Sequence, residues 1–229
     1  SDLSIPSGGI VTSMTGDPDC VTIRPAGRTG SVMTFVDADS TTLVRGLTIS
    51  GGISPDLGGA VHLSHSSPVI ERCNFAGNSA EQGGAIACAD TSAPELSECW
   101  FFSNSADTGA AVVCIENSSP LLNRCLFASN NATQAGGAVA CSGLSAPFLS
   151  SCTLSGNAAP AGAGIFSSGG AAPLAENTII VYGAEGEAVY CATGGTVELS
   201  CCDVYGNAGG DWTGCIAAQE DLYGNFSLA

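Results

Sequence analysis

The stretch that decides the fold is GGAIACADTSAPELSECWFFSN, residues 83–104. Two glycines lead into a short apolar run ending at Cys88, and a Ser-Ala-Pro turn separates this run from Cys99. Phe101 and Asn104 close the unit. Altered copies follow along the chain, with starts resembling Gly-Gly-Ala spaced by 24–27 residues. Self-similarity at such a fixed period is typical of a solenoid or a propeller.

The content of each unit favours a parallel β-helix. Glycine and proline interrupt every apolar run before a helical turn pattern can build up, and each unit offers three short β segments. A propeller blade needs about 40 residues and four strands, more than one unit contains. We therefore expect an all-β fold, a single-stranded right-handed parallel β-helix of about seven coils with 24–27 residues each.

The repeat pattern predicts one domain over residues 1–229. Residues 1–40 would form an N-terminal coil and loops, 41–208 the regular coils, and 209–229 a C-terminal loop or cap. No amphipathic helix precedes Val21, and the tail is short. Because an uncapped solenoid exposes its core and its strand edges, we expect the rod to associate with itself, head to tail or laterally, or with other surface proteins or glycans. The alternative is that flanking sequence supplies the caps.

Strand alternation predicts which side chains fill the interior, because successive residues point to opposite faces. Like side chains would stack on like from coil to coil. Three inward ladders are expected: Val61, Ile86, Val112, Val139, Ile165 and Val189; Ile70, Leu96, Leu122, Leu149, Ala175 and Leu199; and Phe75, Phe101, Phe127, Leu154, Ile180 and Val204.

The outward positions of the first strand of each unit are small or apolar. Contiguous exposed apolar surface usually marks a contact site, so this row is the predicted contact face. Its members are Ala60, Ala85, Ala87, Val113, Ala138, Ala140, Phe166 and Tyr190.

An asparagine recurs at the bend after the third strand. Asparagine tolerates left-handed backbone, and its amide can bond the coils above and below, which indicates a structural ladder and not a ligand site. The members are Asn78, Asn104, Asn130, Asn157 and Asn207.

The cysteines occupy two slots, eleven residues apart. Ser167 and Thr178 replace both slots of one unit together, which favours disulfides within a coil. The predicted pairs are Cys88 with Cys99, Cys114 with Cys125, Cys141 with Cys152, and Cys191 with Cys202, with Cys201 and Cys215 as a further pair at the C-terminal loop. The alternative is a stack of free thiols acting as small buried apolar groups. Zinc is disfavoured, since closely spaced pairs such as C-x-x-C are absent.

The composition excludes several functional classes. The net charge is −16, with five arginines and no lysine, so binding to nucleic acid or to an anionic membrane surface is disfavoured. No run approaches the ~18 apolar residues of a membrane helix. Twelve cysteines suit an oxidising compartment, so we expect a secreted or cell-surface protein.

The sequence predicts no catalytic residues and no cofactor. Outward positions of the first strand carry no carboxylate, and Glu71 beside Glu98 is the nearest approach to a carboxylate pair. Arg72, Glu98 and Arg124 are expected to form a surface charge ladder of alternating sign.

Three weaker signals remain. His62 and His65 flank Ser64 without an evident acid to orient them. Asp37 and Asp39 are a faint indication of calcium, better read as turn residues. Asn-x-Ser/Thr sequons begin at Asn117, Asn131 and Asn225.

The alternating motifs resemble a known family. GGAV at 58–61 with FAGN at 75–78, GGAI at 83–86 with FFSN at 101–104, and GGAV at 136–139 with FASN at 127–130 are similar to repeats in the passenger domains of chlamydial polymorphic outer-membrane proteins. They also resemble bacterial secreted β-helix repeat proteins. The resemblance spans about residues 40–210 and implies surface display, adhesion or assembly.

We therefore expect a non-enzymatic extracellular or cell-surface structural protein that acts in adhesion or self-assembly, with a fibre subunit as one form. The alternative is a polysaccharide-binding or polysaccharide-cleaving β-helix enzyme similar to pectate lyases. Glycoside hydrolysis would need two carboxylates flanking the scissile bond.

Overall fold

The computed structural model describes residues 3–27 and 29–228. It is an all-β parallel solenoid of eight turns, close to the predicted number, and every strand of its three long sheets pairs in parallel with the equivalent strand of the neighbouring coil. Two short 3-10 helices, Pro18–Cys20 and Gly214–Gln219, are the helical segments of the described chain.

The first sheet follows the glycine-rich start of each unit. Its eight strands are Leu3–Ile5, Met33–Val36, Val61–Ser64, Ile86–Ala89, Val112–Cys114, Val139–Cys141, Ile165–Ser167 and Val189–Cys191.

The second sheet follows the Ser-x-Pro turn. Its eight strands are Ile10–Thr12, Leu43–Arg45, Val69–Glu71, Glu95–Ser97, Leu121–Asn123, Phe148–Ser150, Leu174–Glu176 and Glu198–Ser200.

The third sheet carries the phenylalanine ladder. Its eight strands are Thr22–Ile23, Thr48–Ser50, Asn74–Ala76, Trp100–Phe102, Leu126–Ala128, Thr153–Ser155, Ile179–Val181 and Asp203–Tyr205. A fourth sheet of three strands lies between the third and the first: Ser79–Gln82, Ser105–Thr108 and Asn131–Ala135.

The three predicted interior ladders are confirmed. Ile86 pairs with Val61 and Val112, Leu96 with Ile70 and Leu122, and the register continues to the last coil. In the third ladder the ring of Phe101 stacks on Phe75 and Phe127, with ring centroids 4.9 and 4.7 Å away. All three rings are fully buried, so like residues pack face to face from layer to layer.

The asparagines after the third strand form a hydrogen-bonded row inside the wall from Asn78 to Asn157, and Gly183 separates this row from Asn207, which accepts from the N–H of Gly183 at 2.9 Å. Oδ1 of Asn104 accepts from the backbone N–H and from the side-chain amide of Asn78, both at 3.0 Å. Nδ2 of Asn104 donates to the carbonyl of Phe75 at 3.0 Å. Asn130 repeats this arrangement one coil further on. The left-handed residue of the bend is the one before the asparagine, for example Ser103 at φ 54°, contrary to our expectation.

A second row of buried polar groups consists of serines at the bend before the second sheet, a ladder that we did not predict. The backbone N–H of Ser66 donates to Oγ of Ser92 at 3.0 Å, and Ser92 donates likewise to Ser118 at 3.1 Å. The signal was present, because Ser-x-Pro recurs at residues 66–68, 92–94, 118–120 and 145–147. These hydroxyls satisfy backbone amides at the bend into the second sheet.

The expectation of an exposed alanine face is wrong. Ala85 and Ala138 precede their strands and point into the main core, as does Ala60. Ala87 and Ala140 do point outward, yet they are fully buried.

Glycine turns lie over the outward side chains of Val113 and Ala140, which form a small buried cluster with Ala87. A Cβ on Gly83 would lie 2.9 Å from Cγ1 of Val113, and one on Gly136 would lie 2.6 Å from Cβ of Ala140. Of the predicted row, Tyr190 remains exposed and Phe166 is half-buried against it, with ring centroids 6.1 Å apart.

The C-terminal segment caps the last coil. Ile216 of the helix Gly214–Gln219 is fully buried, and Gln219 bonds the backbone of Leu199 and Val197 on the second sheet. Asn225 accepts from the N–H of Cys202 at 2.9 Å. The C-terminal end of the solenoid, which we expected to be free for head-to-tail association, is therefore covered by residues 209–228 of the same chain.

The first described coil is different, because its strands pair on one side only. Leu3–Ile5, Ile10–Thr12 and Thr22–Ile23 are the outermost strands of their sheets among residues 3–27 and 29–228. The side chains of Val11 and Ile23 at this end are partly buried against the core.

Replacing Phe101 with alanine should destabilise the rod by about 3–5 kcal/mol, because the substitution removes a buried ring from a stack. Phe102 is the matched control. It is adjacent and chemically identical but 38% exposed, so Phe102→Ala should cost less than about 1.5 kcal/mol. Urea unfolding followed by circular dichroism measures both values. Equal losses would contradict the assignment of the two rings to opposite faces.

Replacing Asn104 with alanine should cost at least about 2 kcal/mol, because Asn78 and Phe75 would lose buried hydrogen-bond partners. The control is Asn131→Ala, an exposed position of the fourth sheet, with an expected change within about 0.5 kcal/mol. The same urea titration compares them. A neutral Asn104→Ala would mean that water or a shifted bend satisfies these groups.

Candidate functional site

The outward face of the third sheet carries two exposed aromatic side chains on one strand, Trp100 and Phe102. Strand alternation sends Phe101 inward and therefore sends Trp100 and Phe102 outward on the same strand. Trp100 is 53% exposed. Leu126 lies beside Trp100 in the next coil, and Ile179 is exposed two coils further along the face. The backbone of this aromatic pair is fixed by ladder pairing on both sides.

A cleft of about 270 Å³ lies at Trp100. Asn74 precedes Trp100 in the ladder of the third sheet, and its Nδ2 donates to Oδ1 of Asp19 at 3.4 Å. Asp19 belongs to the helix Pro18–Cys20, which the first coil lays against this face. The cleft is lined by Pro18, Asp19, Arg72, Asn74, Glu98 and Trp100.

The predicted charge ladder forms the other wall of the cleft. Arg72 Nε lies 3.1 Å from Glu98 Oε2, and Arg124 Nη1 lies 3.8 Å from Glu98 Oε1. The three residues are the single left-handed residues that turn the chain from the second sheet into the third, with φ between 50° and 54°. Their side chains are about half exposed or more, so these pairs position groups and add little stability.

The acids that suggested a catalytic pair are engaged separately. Glu71 Oε1 lies 3.1 Å from Nε of Arg45, while Glu98 is held by Arg72 and Arg124.

A serine, a histidine and an acid meet at the bend after the first sheet. Oγ of Ser64 donates to Oδ2 of Asp90 at 2.6 Å and lies 3.2 Å from Nδ1 of His65. Sequence reasoning missed this acid because Asp90 stands one coil away. The hydrogen bond from Ser64 is the main cause that lowers the pKa of Asp90, and Glu116 and His65 add to it. The hydroxyl of Ser64 and the carboxylate of Asp90 both face Nδ1 of His65, and Ser64 also bonds Asp90 directly. In a nucleophilic triad the acid bonds the other ring nitrogen, so the order of a triad is not met.

The remaining weak signals are turn features. Oδ1 of Asp39 accepts from the N–H of Thr41 at 2.9 Å, and bonds to Thr41 and Ser7 lower its pKa. Within residues 3–27 and 29–228 no group of three or more histidine, cysteine or acidic side chains is arranged to hold a metal. Of the sequons, Asn117 and Asn131 are exposed, whereas Asn225 is buried in the C-terminal cap.

Among the described residues the predicted same-coil disulfides are absent. The structure has one disulfide, between Cys191 and Cys215, with a Cα–Cα distance of 5.9 Å. It replaces both the Cys191–Cys202 and the Cys201–Cys215 predictions. The other predicted partners are free thiols: Cys88, Cys99, Cys114, Cys125, Cys141, Cys152, Cys201 and Cys202.

Each slot stacks with its own kind, which explains why the two slots do not pair. Cys88 pairs in register with Cys114, and Cys114 with Cys141. In the other slot, Sγ of Cys125 donates to the carbonyls of Leu96 and Asn123, both at 3.5 Å. Thr178 fills this second slot with the same kind of bond, to Glu176 at 3.0 Å. The joint change at residues 167 and 178 therefore preserves a small polar group in each slot.

Several of the buried thiols have raised pKa values and stay in their neutral form: Cys73, Cys88, Cys114, Cys125, Cys152 and Cys202. Burial raises the pKa of Cys73 to about 11. A hydrogen bond with Cys114 and then burial raise the pKa of Cys88 well above its usual value. Because the thiolate is the reactive species, these residues are chemically inert packing groups.

Comparison with protein-family models, with curated proteins and with solved structures gives no match. In the described residues, no helix is long and apolar enough to cross a membrane.

Thiol labelling tests the assignment of ten free cysteines and one disulfide. In the native protein at pH 8 an aromatic disulfide reagent should modify Cys20 and Cys201, the two exposed free cysteines. After denaturation ten cysteines should react, and Cys191 and Cys215 only after reduction. Peptide mapping locates the labels. Recovery of a Cys88–Cys99 disulfide from the native protein would contradict the free-thiol stack.

Proposed function

We propose that this chain is a non-enzymatic structural module of the extracellular space or cell surface, and that it acts in adhesion. The observation that carries the proposal is the outward face of the third sheet, where Trp100, Phe102 and Ile179 are exposed on a rigid wall. We define the binding face as the outward residues of this sheet from Asn74 to Ile179. Exposed apolar surface of this kind usually marks a contact with another molecule.

Rigidity supports a role in adhesion. Each strand of the binding face is bonded to the coils before and after it, and buried rows of asparagine and serine hold the bends. A surface held in this way loses little conformational entropy when it binds. The rod is thus a spacer and a preformed contact surface at once.

The cysteine chemistry is compatible with an oxidising compartment. The one disulfide ties the C-terminal cap to the first sheet, where it closes the end of the solenoid. The core shields the eight buried free thiols from oxidants, and the raised pKa values of Cys88 and Cys114 add to this, while Cys20 and Cys201 are exposed. An acidic coat of net charge −16 keeps such a rod soluble and apart from its neighbours.

Adhesion can be measured with beads that carry the purified protein, retained under flow on surfaces coated with mucin, fibronectin, cellulose or chitin. On the coating that retains the unmodified protein, Phe102→Glu should reduce retention at least about tenfold, since it places a charge in the centre of the contact. Asn123→Glu adds the same charge on the second sheet, where the side chain is half-buried, and should leave retention unchanged.

Equal retention of both variants would contradict the binding face. Absence of retention on every coating, together with light scattering that shows self-association lost in Phe102→Glu, would replace adhesion by self-assembly through the same face. The urea midpoint of each variant is measured first, so that loss of the fold is not mistaken for loss of binding.

A further inference from the structure

The cleft at Trp100 combines a flat aromatic surface with fixed hydrogen-bonding groups. The exposed indole lies among the guanidinium of Arg72, the carboxylate of Glu98, the amide of Asn74 and the carboxylate of Asp19. This set offers both donors and acceptors. A sugar ring presents the complementary surface, an apolar C–H face and a rim of hydroxyl groups that donate and accept.

The polar groups are in place before any ligand binds. The Arg72–Glu98 pair at 3.1 Å orients one rim of the cleft, and the Asn74–Asp19 hydrogen bond at 3.4 Å orients the other. The other tryptophan of the chain, Trp212, donates its indole N–H to Ser227 at 2.7 Å. In the described residues no protein acceptor receives the indole N–H of Trp100, which leaves a donor for a ligand.

The charges of the cleft favour an uncharged ligand. Among the lining residues Asp19 and Glu98 are negative and Arg72 is positive, an excess of one negative charge, and Arg124, which lies outside the lining, pairs with Glu98 at 3.8 Å. The cleft therefore has no surplus of positive charge that would attract an anion, in a chain whose net charge is −16. An anionic sugar would meet the overall negative field, and a cation would compete with the arginines already paired.

The spacing of Trp100 and Phe102 favours a ligand that is longer than one sugar ring. The cleft of about 270 Å³ is near the lower end of ligand sites. Phe102 stands two residues along the same strand and on the same face, about 7 Å away by strand geometry. A linear ligand can thus stack one ring on Trp100 and reach Phe102 with the next.

We propose that the Trp100 cleft binds a neutral oligosaccharide, with one sugar ring stacked on the indole and its hydroxyls bonded to Arg72, Asn74, Glu98 and Asp19. The inference rests on the proposed function, because it assigns a ligand class to the binding face. A flat protein partner would contact the apolar residues of this face but would not bond the polar groups recessed in the cleft, Arg72, Glu98, Asn74 and Asp19.

Isothermal titration calorimetry of the whole protein with cellohexaose, chitohexaose and mannohexaose tests the proposal, with an acidic oligogalacturonate as the charged comparison. At least one neutral oligosaccharide should bind with a dissociation constant below about 1 mM. Trp100→Ala should weaken that binding at least about tenfold, and Trp100→Phe should retain part of it. Tyr190→Ala, an exposed aromatic position on the first sheet, should leave it unchanged.

A fluorescence titration checks where the sugar binds. In the Trp212→Phe variant, Trp100 is the sole tryptophan, so saturable change of its emission on addition of the bound oligosaccharide is expected. If this variant does not fold, calorimetry on Arg72→Ala serves in its place, and weaker binding of the same sugar is expected there.

Three results would overturn the proposal: no binding of any neutral oligosaccharide at about 10 mM, tighter binding of the oligogalacturonate, or unchanged binding by Trp100→Ala. Bead retention separates this failure from failure of the proposed function. Retention on a protein coating that is lost in Phe102→Glu but resists an excess of neutral oligosaccharide would keep adhesion and assign the face to a protein partner. Absence of oligosaccharide binding together with absence of bead retention on every coating would overturn both the oligosaccharide site and the proposed adhesion.

Discussion

The structure depends on the in-register stacking of each side chain on its own equivalent in the neighbouring coil. Parallel pairing of the backbone sets that register, and the interior accepts it because Phe101 meets Phe75 and Phe127 while Ile86 meets Val61 and Val112. The bends are the difficult points, since their amides have no strand partner. The side chains of Asn104 and Ser92 accept hydrogen bonds from these backbone amides in the preceding coil. A coil is therefore complete only when its neighbour is present.

Repetition made much of this predictable from the sequence. A period of 24–27 residues, alternation around Phe101 and the recurrence of asparagine were enough to predict the fold class and the interior rows. What failed was inference beyond the strands. Ala85 lies before its strand, where alternation does not apply. Ala87 points outward as alternation predicts, yet it is buried in a small cluster with Val113 and Ala140. Cys191 bonds Cys215 of the cap, an irregular segment in which no repeat indicates proximity.

The candidate site shows the same division. The charge ladder of Arg72, Glu98 and Arg124 follows from the repeat, and the outward position of Trp100 follows from alternation. The cleft also needs Asp19, which reaches Asn74 from 55 positions away in sequence through the irregular first coil. Likewise Ser64 and Asp90 meet only because they occupy adjacent coils at a bend. A contact between a regular coil and an irregular segment cannot be predicted from the repeat pattern and is seen only in the folded structure.

Amide hydrogen exchange of the native protein tests most directly the claim that the coils complete one another. The amides of Asn78, Asn104 and Ser92 lie in bends, and each donates to a side chain of the next coil. Our account predicts that they exchange as slowly as the amides of the flanking strands, and that all of them become exposed together on global unfolding. Exchange of these bend amides at the rate of exposed loops, with the strands still protected, would contradict it.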